Sequence, residues 1–414
     1  MGKRRFLHPL EKGNKMKRNM MFLLVFFSVT NSHSQVLTGL DILQKNNFEE
    51  VKGKKVGLIT NHSALNVKGK SALSVFYDSQ QIELKAIFSP EHGLKGIREG
   101  GKIIENSKYG TKKIPVFSLY GKTKRPTTKM LSGIDTLVFD IQDIGARFYT
   151  YLTTMGYAME EAAKNNIEFI VLDRPNPIGG KIIEGPVLEK GIKAFTAYYG
   201  VPVRHGFTAG EMALFHKEKK NLSNLKLKIV KMRNWKRNMF FRETGLPWIN
   251  PSPNIRNFEA ELLYPGLGCF EATNVSVGRG TNSPFLWFGA PWMKARKIVK
   301  KLNKAKLRGV KFQFEERVPS ENMYKNKICR GIKIKVKDGK KVNSFAVFLH
   351  AAYWLLNYNE KEFELRKQEL IKMVGRCAIS DMIIGGEKPQ KTLGEINKIN
   401  FTFMKEREKY FLYK

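Results

Sequence analysis

A carboxylate and an imidazole stand side by side in Pro90-Glu91-His92-Gly93, directly after the apolar run Leu84–Phe88. A titratable pair on a tight turn at the end of a buried strand is a common seat of acid–base chemistry in α/β proteins. Three more polar clusters follow apolar runs in the same way. Asn61, His62 and Ser63 follow Lys55–Thr60; Asp140, Gln142 and Asp143 close Thr136–Ile141; Asp173, Arg174 and Asn176 follow Ile167–Leu172. Any one of these reads equally well as a turn or a cap. Together they point to a single ligand-binding edge.

Glycoside cleavage suits these residue types. One carboxylic acid protonates the leaving oxygen, and a second carboxylate activates water or attacks the sugar. Glu91, Asp140 and Asp143 are candidates on the edge, and Glu271 is a candidate from the later part of the chain. Arg147, Arg174 and Arg279 have the fork geometry to hold a substrate anion, with structural ion pairing as the competing use. Tyr149, Trp248, Trp287 and Trp292 suit stacking on sugar faces, although core packing is the commoner fate of such rings. A metal site from His62, His92, Asp140 and Asp143 lacks any ligand pair at metal-binding spacing. There is no G-x-S-x-G elbow. Gly278 and Gly280 fit neither G-x-G-x-x-G nor a P-loop.

The elements that must position these groups alternate. Strands are expected at 55–60, 83–88, 115–119, 136–141 and 167–172, with helices at 36–48, 71–79 and 148–165 between them. Strand runs that are apolar throughout, separated by helices, indicate a parallel sheet covered on both faces. In such a sheet all four polar clusters lie at the same carboxyl edge. The pattern changes after Val203. A helix with Thr208 as N-cap and Glu211 in capping-box position is followed by a strand at 225–231, two strands at 310–315 and 331–336, and helices at 292–302, 342–357 and 362–374. The fold class is therefore α/β. A Rossmann-like parallel-sheet domain is expected over 36–203, with a smaller mixed α/β domain over 204–414 completing a cleft.

The chain has 414 residues and a formal charge of +36, an excess that suits an anionic partner. The scatter of the basic residues, without a basic arm, argues against nucleic acid, and Lys-rich solvated faces account for the charge equally well. Residues 1–34 read as a signal peptide: a basic start, a short apolar stretch at 20–29 and a small-residue cleavage site. Export to the periplasm or outside the cell is expected, without a stable membrane anchor. Cys269, Cys329 and Cys377 leave room for one disulfide or for three buried free thiols.

Seven stretches in order, LITNHSALN, FSPEHGLKGIREGG, VFDIQDIGARFYTYLTTM, VLDRPNPIGG, EGPVL, GLPWINPSPN and FEATNVSVGRGTNSPF, resemble the NamZ-type exo-β-N-acetylmuramidases. The resemblance covers residues 36–414. It implies release of N-acetylmuramic acid by water from the non-reducing end of peptidoglycan fragments, in a cleft between the two domains, without nucleotide or metal. Carried onto this chain, it places Glu91 as a principal catalytic acid/base and Glu271 as the second carboxylate, with Asp140 and Asp143 in reserve. Arg147 and Arg279 become candidates for the lactyl carboxylate of the sugar. His92, Asn61, Gln142 and Asn274 become candidates for its hydroxyl and acetamido groups, with Tyr149 and Arg174 also at the substrate. A muropeptide-binding protein without catalysis is the alternative.

Overall fold

The chain is described here by a computed structural model covering residues 35–414. The signal peptide expected at 1–34 lies outside the described residues. Strands β1 (Lys55–Thr60), β2 (Glu83–Ser89), β3 (Ser107–Tyr109), β4 (Ile114–Ser118), β5 (Thr136–Asp140), β6 (Glu168–Leu172) and β7 (Leu227–Val230) form one sheet in the order β3-β4-β2-β1-β5-β6-β7. Neighbours are parallel except β3, which is antiparallel to β4.

The apolar runs are explained by burial on both faces. Successive strand residues point to opposite sides of a sheet. On one side lie Ile59, Leu137, Phe139, Phe169 and Val171, with helices α4 (Tyr151–Lys164) and α5 (Ala209–Lys219). On the other lie Val56, Leu58, Val138, Ile170 and Leu172, with α1 (Gly39–Lys45) and α2 (Ala72–Asp78). A short α3 (Thr128–Leu131) precedes β5. The capping box at α5 is present as expected: the Glu211 amide donates to the Thr208 hydroxyl, and the Thr208 amide donates to the Glu211 carboxylate.

The sheet extends further along the chain than the sequence suggests. β7 pairs with β6 from Phe169↔Leu227 to Leu172↔Val230, so the strand expected to open the second domain is the edge of the first. The long segment between β6 and α5 contains no helix or strand, which is why the sequence pattern changes near Val203.

The remainder begins with α6 (Phe258–Leu267) and continues with β8 (Trp287–Ala290), α7 (Ala295–Lys304), β9 (Val310–Arg317) and β10 (Cys329–Val336). The three strands form an antiparallel sheet in the order β8-β10-β9. Helices α8 (Ser344–Tyr358), α9 (Lys367–Val374), α10 (Cys377–Ile384) and α11 (Pro389–Glu406) complete it, and the last two were not visible as periodicity in the sequence. The three cysteines are free, and Cys377 is exposed rather than buried. Trp287 is fully buried and donates to the Glu315 carbonyl, so it is a core residue rather than a sugar platform.

One apolar cluster runs through both parts. Polar ties reinforce it. Tyr413 donates to the Asp173 carboxylate (2.7 Å), which also accepts from Thr208 and the Gly210 amide. Arg147, expected at a substrate anion, is a second tie. Its guanidinium is buried and donates to the carbonyls of Pro186, Val201, Met373 and Val374 at 2.8–2.9 Å. Burial lowers it to about 10, so it remains cationic at neutral pH. Removing it strands four buried acceptors, and Arg147→Met is expected to cost about 3 kcal/mol in urea unfolding. A loss under 1 kcal/mol would contradict this role.

Candidate active site

A cavity of about 700 Å³ opens over the carboxyl ends of β2, β4 and β5. Glu91 and His92 reach it from the turn after β2, Tyr120 from beyond β4, and Phe148, Tyr149 and Thr150 from the segment between β5 and α4. The facing wall includes Tyr264, Glu271, Val277 and Arg279.

Glu91 is held by neighbours that each donate one hydrogen bond. The Thr150 hydroxyl donates to Oε2 at 2.6 Å, and the Gly101 amide donates to Oε1 at 3.0 Å. Tyr120 stands beside this carboxylate; burial and the Glu91 charge push its hydroxyl up to about 12, so it stays protonated at neutral pH. Among the described residues Glu91 forms no ion pair, which leaves the carboxylate open to a ligand.

His92 and Gly93 both have left-handed backbones, φ 70° and 76°. That conformation is uncommon for a residue with a side chain, and it turns the chain sharply after β2. His92 Nδ1–H donates to the Arg98 carbonyl at 2.7 Å, leaving Nε2 as an acceptor. Burial holds this imidazole below its ordinary 6.5. Its ring lies against Tyr149 and Tyr151, whose hydroxyls both donate to the Pro251 carbonyl and anchor the Pro-rich loop.

Glu271 and Arg279 meet across the cavity. Arg279 donates to Glu271 Oε1 through Nε at 2.7 Å, and its Nη2 lies 2.6 Å from the same oxygen. Burial alone would lower the guanidinium, but Glu271 more than offsets it and the group ends above its ordinary value. This Arg is therefore engaged by the protein itself.

The remaining expected site residues lie elsewhere. Asp140 is fully buried and forked by Arg174, with Nη2–Oδ2 at 3.0 Å; each satisfies the other, and neither lines the cavity. Asp143 accepts from the Gly145 amide at 2.7 Å. Gln142 Nε2 is occupied by the carbonyls of Asp143 and Pro175. Asn61 makes a local turn by accepting from the Ser63 amide and hydroxyl. Asn274 exchanges hydrogen bonds with the backbone at Glu362 and Glu364. Sequence reading passed over Tyr120, Thr150, Ser252 and Tyr264, all cavity residues. Thr150 lies near the start of an expected helix and Ser252 within the GLPWINPSPN stretch; Tyr120 and Tyr264 carried no signal.

Family models described as exo-β-N-acetylmuramidase NamZ, N-terminal and C-terminal, match residues 56–259 and 262–413. The chain belongs to the NamZ family of exo-β-N-acetylmuramidases. It is 40% identical, over 93% of each chain, to the peptidoglycan β-N-acetylmuramidase NamZ of Bacillus subtilis (strain 168). Two crystal structures of DUF1343 family proteins from Bacteroides fragilis NCTC 9343 share its fold. One has a TM-score of 0.86 at 34% identity, the other 0.75 at 29%, each covering 92% of this chain and 99% of its own. The NamZ models divide the chain between 259 and 262, which keeps β7 with the first part. Among the described residues no group of three or more His, Cys, Asp and Glu is arranged to hold a metal ion, and no helix is long and apolar enough to cross a membrane.

In this NamZ-family chain the site carries its own acid sensitivity. Burial lowers both His62 and His92 below 6.5, so just under that pH these two imidazoles bind fewer protons in the folded chain than in the unfolded one. Their contribution to stability is therefore full above about pH 6.5 and is lost as pH falls further. Calorimetry is expected to show a lower unfolding midpoint at pH 5.5 than at pH 7.5, with His92→Gln narrowing the gap. A flat profile would count against neutral buried imidazoles.

Proposed function

We propose that this chain hydrolyses the glycosidic bond of a terminal N-acetylmuramic acid in peptidoglycan fragments such as MurNAc-GlcNAc, with Glu91 as the acid/base. The observation that carries the reading is the setting of Glu91: a carboxyl in a sugar-sized cavity, oriented by Thr150 and Gly101, with no cation bonded to it. A group that must give and take a proton is served by such a setting. Glu271 has the opposite setting, paired with Arg279. That arrangement suits a carboxylate that stabilises positive charge at the anomeric carbon or orients the attacking group. The surplus of positive charge favours capture of an anionic saccharide.

Glu91→Gln keeps the shape and the Thr150 contact but cannot cycle a proton. Its kcat on a chromogenic β-muramide is expected to fall about a thousandfold with the unfolding midpoint nearly unchanged. Turnover within a few-fold of the parent would remove Glu91 from the mechanism. A protein that only binds muropeptides would release no free sugar in the parent chain either.

We propose further that the protein works outside the cytoplasm after removal of residues 1–34, on the strength of their basic start and short apolar stretch. Intact-mass measurement of the protein recovered from its native cells is expected to show a chain starting near Gln35. A full-length mass would refute the processing.

A further inference from the structure

The muramyl sugar carries a carboxylate on its lactyl ether, and the two arginines expected to receive it are engaged elsewhere. Arg147 is buried against four carbonyls, and Arg279 is bonded to Glu271. We propose that Lys124 binds the lactyl carboxylate of the muramyl sugar and sets the preference for that sugar over neutral relatives. The inference rests on Glu91 standing at the scissile bond.

Lys124 lines the cavity and forms no ion pair with any carboxylate of the described residues. Its neighbours in sequence are tightly fixed. The Thr123 hydroxyl donates to the Arg125 carbonyl at 2.8 Å, and the Arg125 amide donates back at 3.0 Å. Arg125 in turn bonds Glu160 and Glu161 and lies 3.9 Å from the Tyr157 ring centroid. Two acids are thus spent on one cation of this loop, and the next cation is left without any.

The ammonium is nonetheless held. It sits 4.3 Å from the centroid of Phe195 and 5.4 Å from that of Tyr120, both cavity residues. Aromatic faces orient a cation without neutralising it, so its charge stays available to a ligand. Tyr120 also links Lys124 to the acid. Its hydroxyl meets Glu91 while its ring carries Lys124. Both groups therefore neighbour one aromatic residue, the ammonium 5.4 Å from its ring centroid and the carboxylate beside its hydroxyl. In a muramyl sugar the lactyl ether leaves the ring two carbons from the anomeric centre, so the scissile oxygen and the carboxylate belong to one sugar unit and can reach two groups that share one aromatic neighbour. A sugar with its glycosidic oxygen at Glu91 can place its carboxylate at Lys124. Lys372 also lines the cavity, but no ring fixes its ammonium.

The test pairs the residue with the charge of the ligand. Turnover of a chromogenic β-muramide and of its lactyl amide is measured for the parent, Lys124→Met, Lys124→Arg and Lys372→Met, together with calorimetric binding of N-acetylmuramic acid and its amide. The parent is expected to favour the acid about 10- to 100-fold, Lys124→Met to lose that preference with the amide unaffected, and Lys124→Arg to keep most of it. An undiminished preference in Lys124→Met, or its loss in Lys372→Met instead, overturns the assignment. A parent that binds the acid selectively through Lys124 but hydrolyses neither compound would overturn the hydrolase reading and support the lysine.

Discussion

A buried cation without a carboxylate partner fixes the architecture of this site. Arg147 must find acceptors or pay for its desolvation, and it finds them in backbone carbonyls from two distant stretches, Pro186 and Val201 on one side, Met373 and Val374 on the other. Phe148, Tyr149 and Thr150 follow it directly in the chain and line the cavity, as does Met373. The position of one guanidinium thus registers the wall that holds the Glu91 donor against the end of α9. Gly375 shows how tight the fit is: a Cβ there would lie 2.3 Å from Arg147 Nη2, and its backbone is left-handed at φ 85°. A side chain at that position would conflict with both.

The carboxyl edge of the sheet is mostly closed. In an open α/β sheet the ligand crevice is expected where the strand order reverses, here between β1 and β5. That place is filled by the Asp140–Arg174 pair, by the Asn61 turn and by Gln142, and only about 20 Å³ of space remains there beside Trp248 and Pro251. The cluster after β6 is closed too, because Asp173 accepts from Thr208 and the C-terminal Tyr413. Only the cluster after β2 stays open. The site is displaced toward β2 and β4, and the closed clusters give it a rigid floor.

This division explains what could be read from the sequence. Five largely apolar runs without a polar alternate face revealed a sheet buried on both faces, and Thr208 with Glu211 revealed the start of a helix, because both signals are local. The edge on which Glu91, Asp140 and Asp173 lie was equally legible, since strand direction places them there. Which of these carboxylates faces the cavity was not, because that depends on distant partners: Arg174 for Asp140, Tyr413 for Asp173. An arginine also looks the same in sequence whether carbonyls, a glutamate or a ligand will surround it, so Arg147, Arg279 and Arg174 could not be told apart. Tyr120 belongs to no motif, and Thr150 lies inside a quoted stretch without standing out in it; both enter the site because β4 ends and α4 begins beside Glu91.

Thr150 occupies the N-cap of α4, yet its side chain makes no capping bond to that helix. The hydroxyl that would ordinarily satisfy a first-turn amide donates instead to Glu91. A cap is typically worth about 1 kcal/mol to a helix, so α4 gives up a share of its own stability to orient the acid. Thermostabilising design would single out this uncapped end and favour an Asp or Asn there. Either change would remove the hydroxyl donor from the carboxylate, and an Asp would set a second negative charge beside it. At this residue the routes to a more durable protein and to a working one diverge.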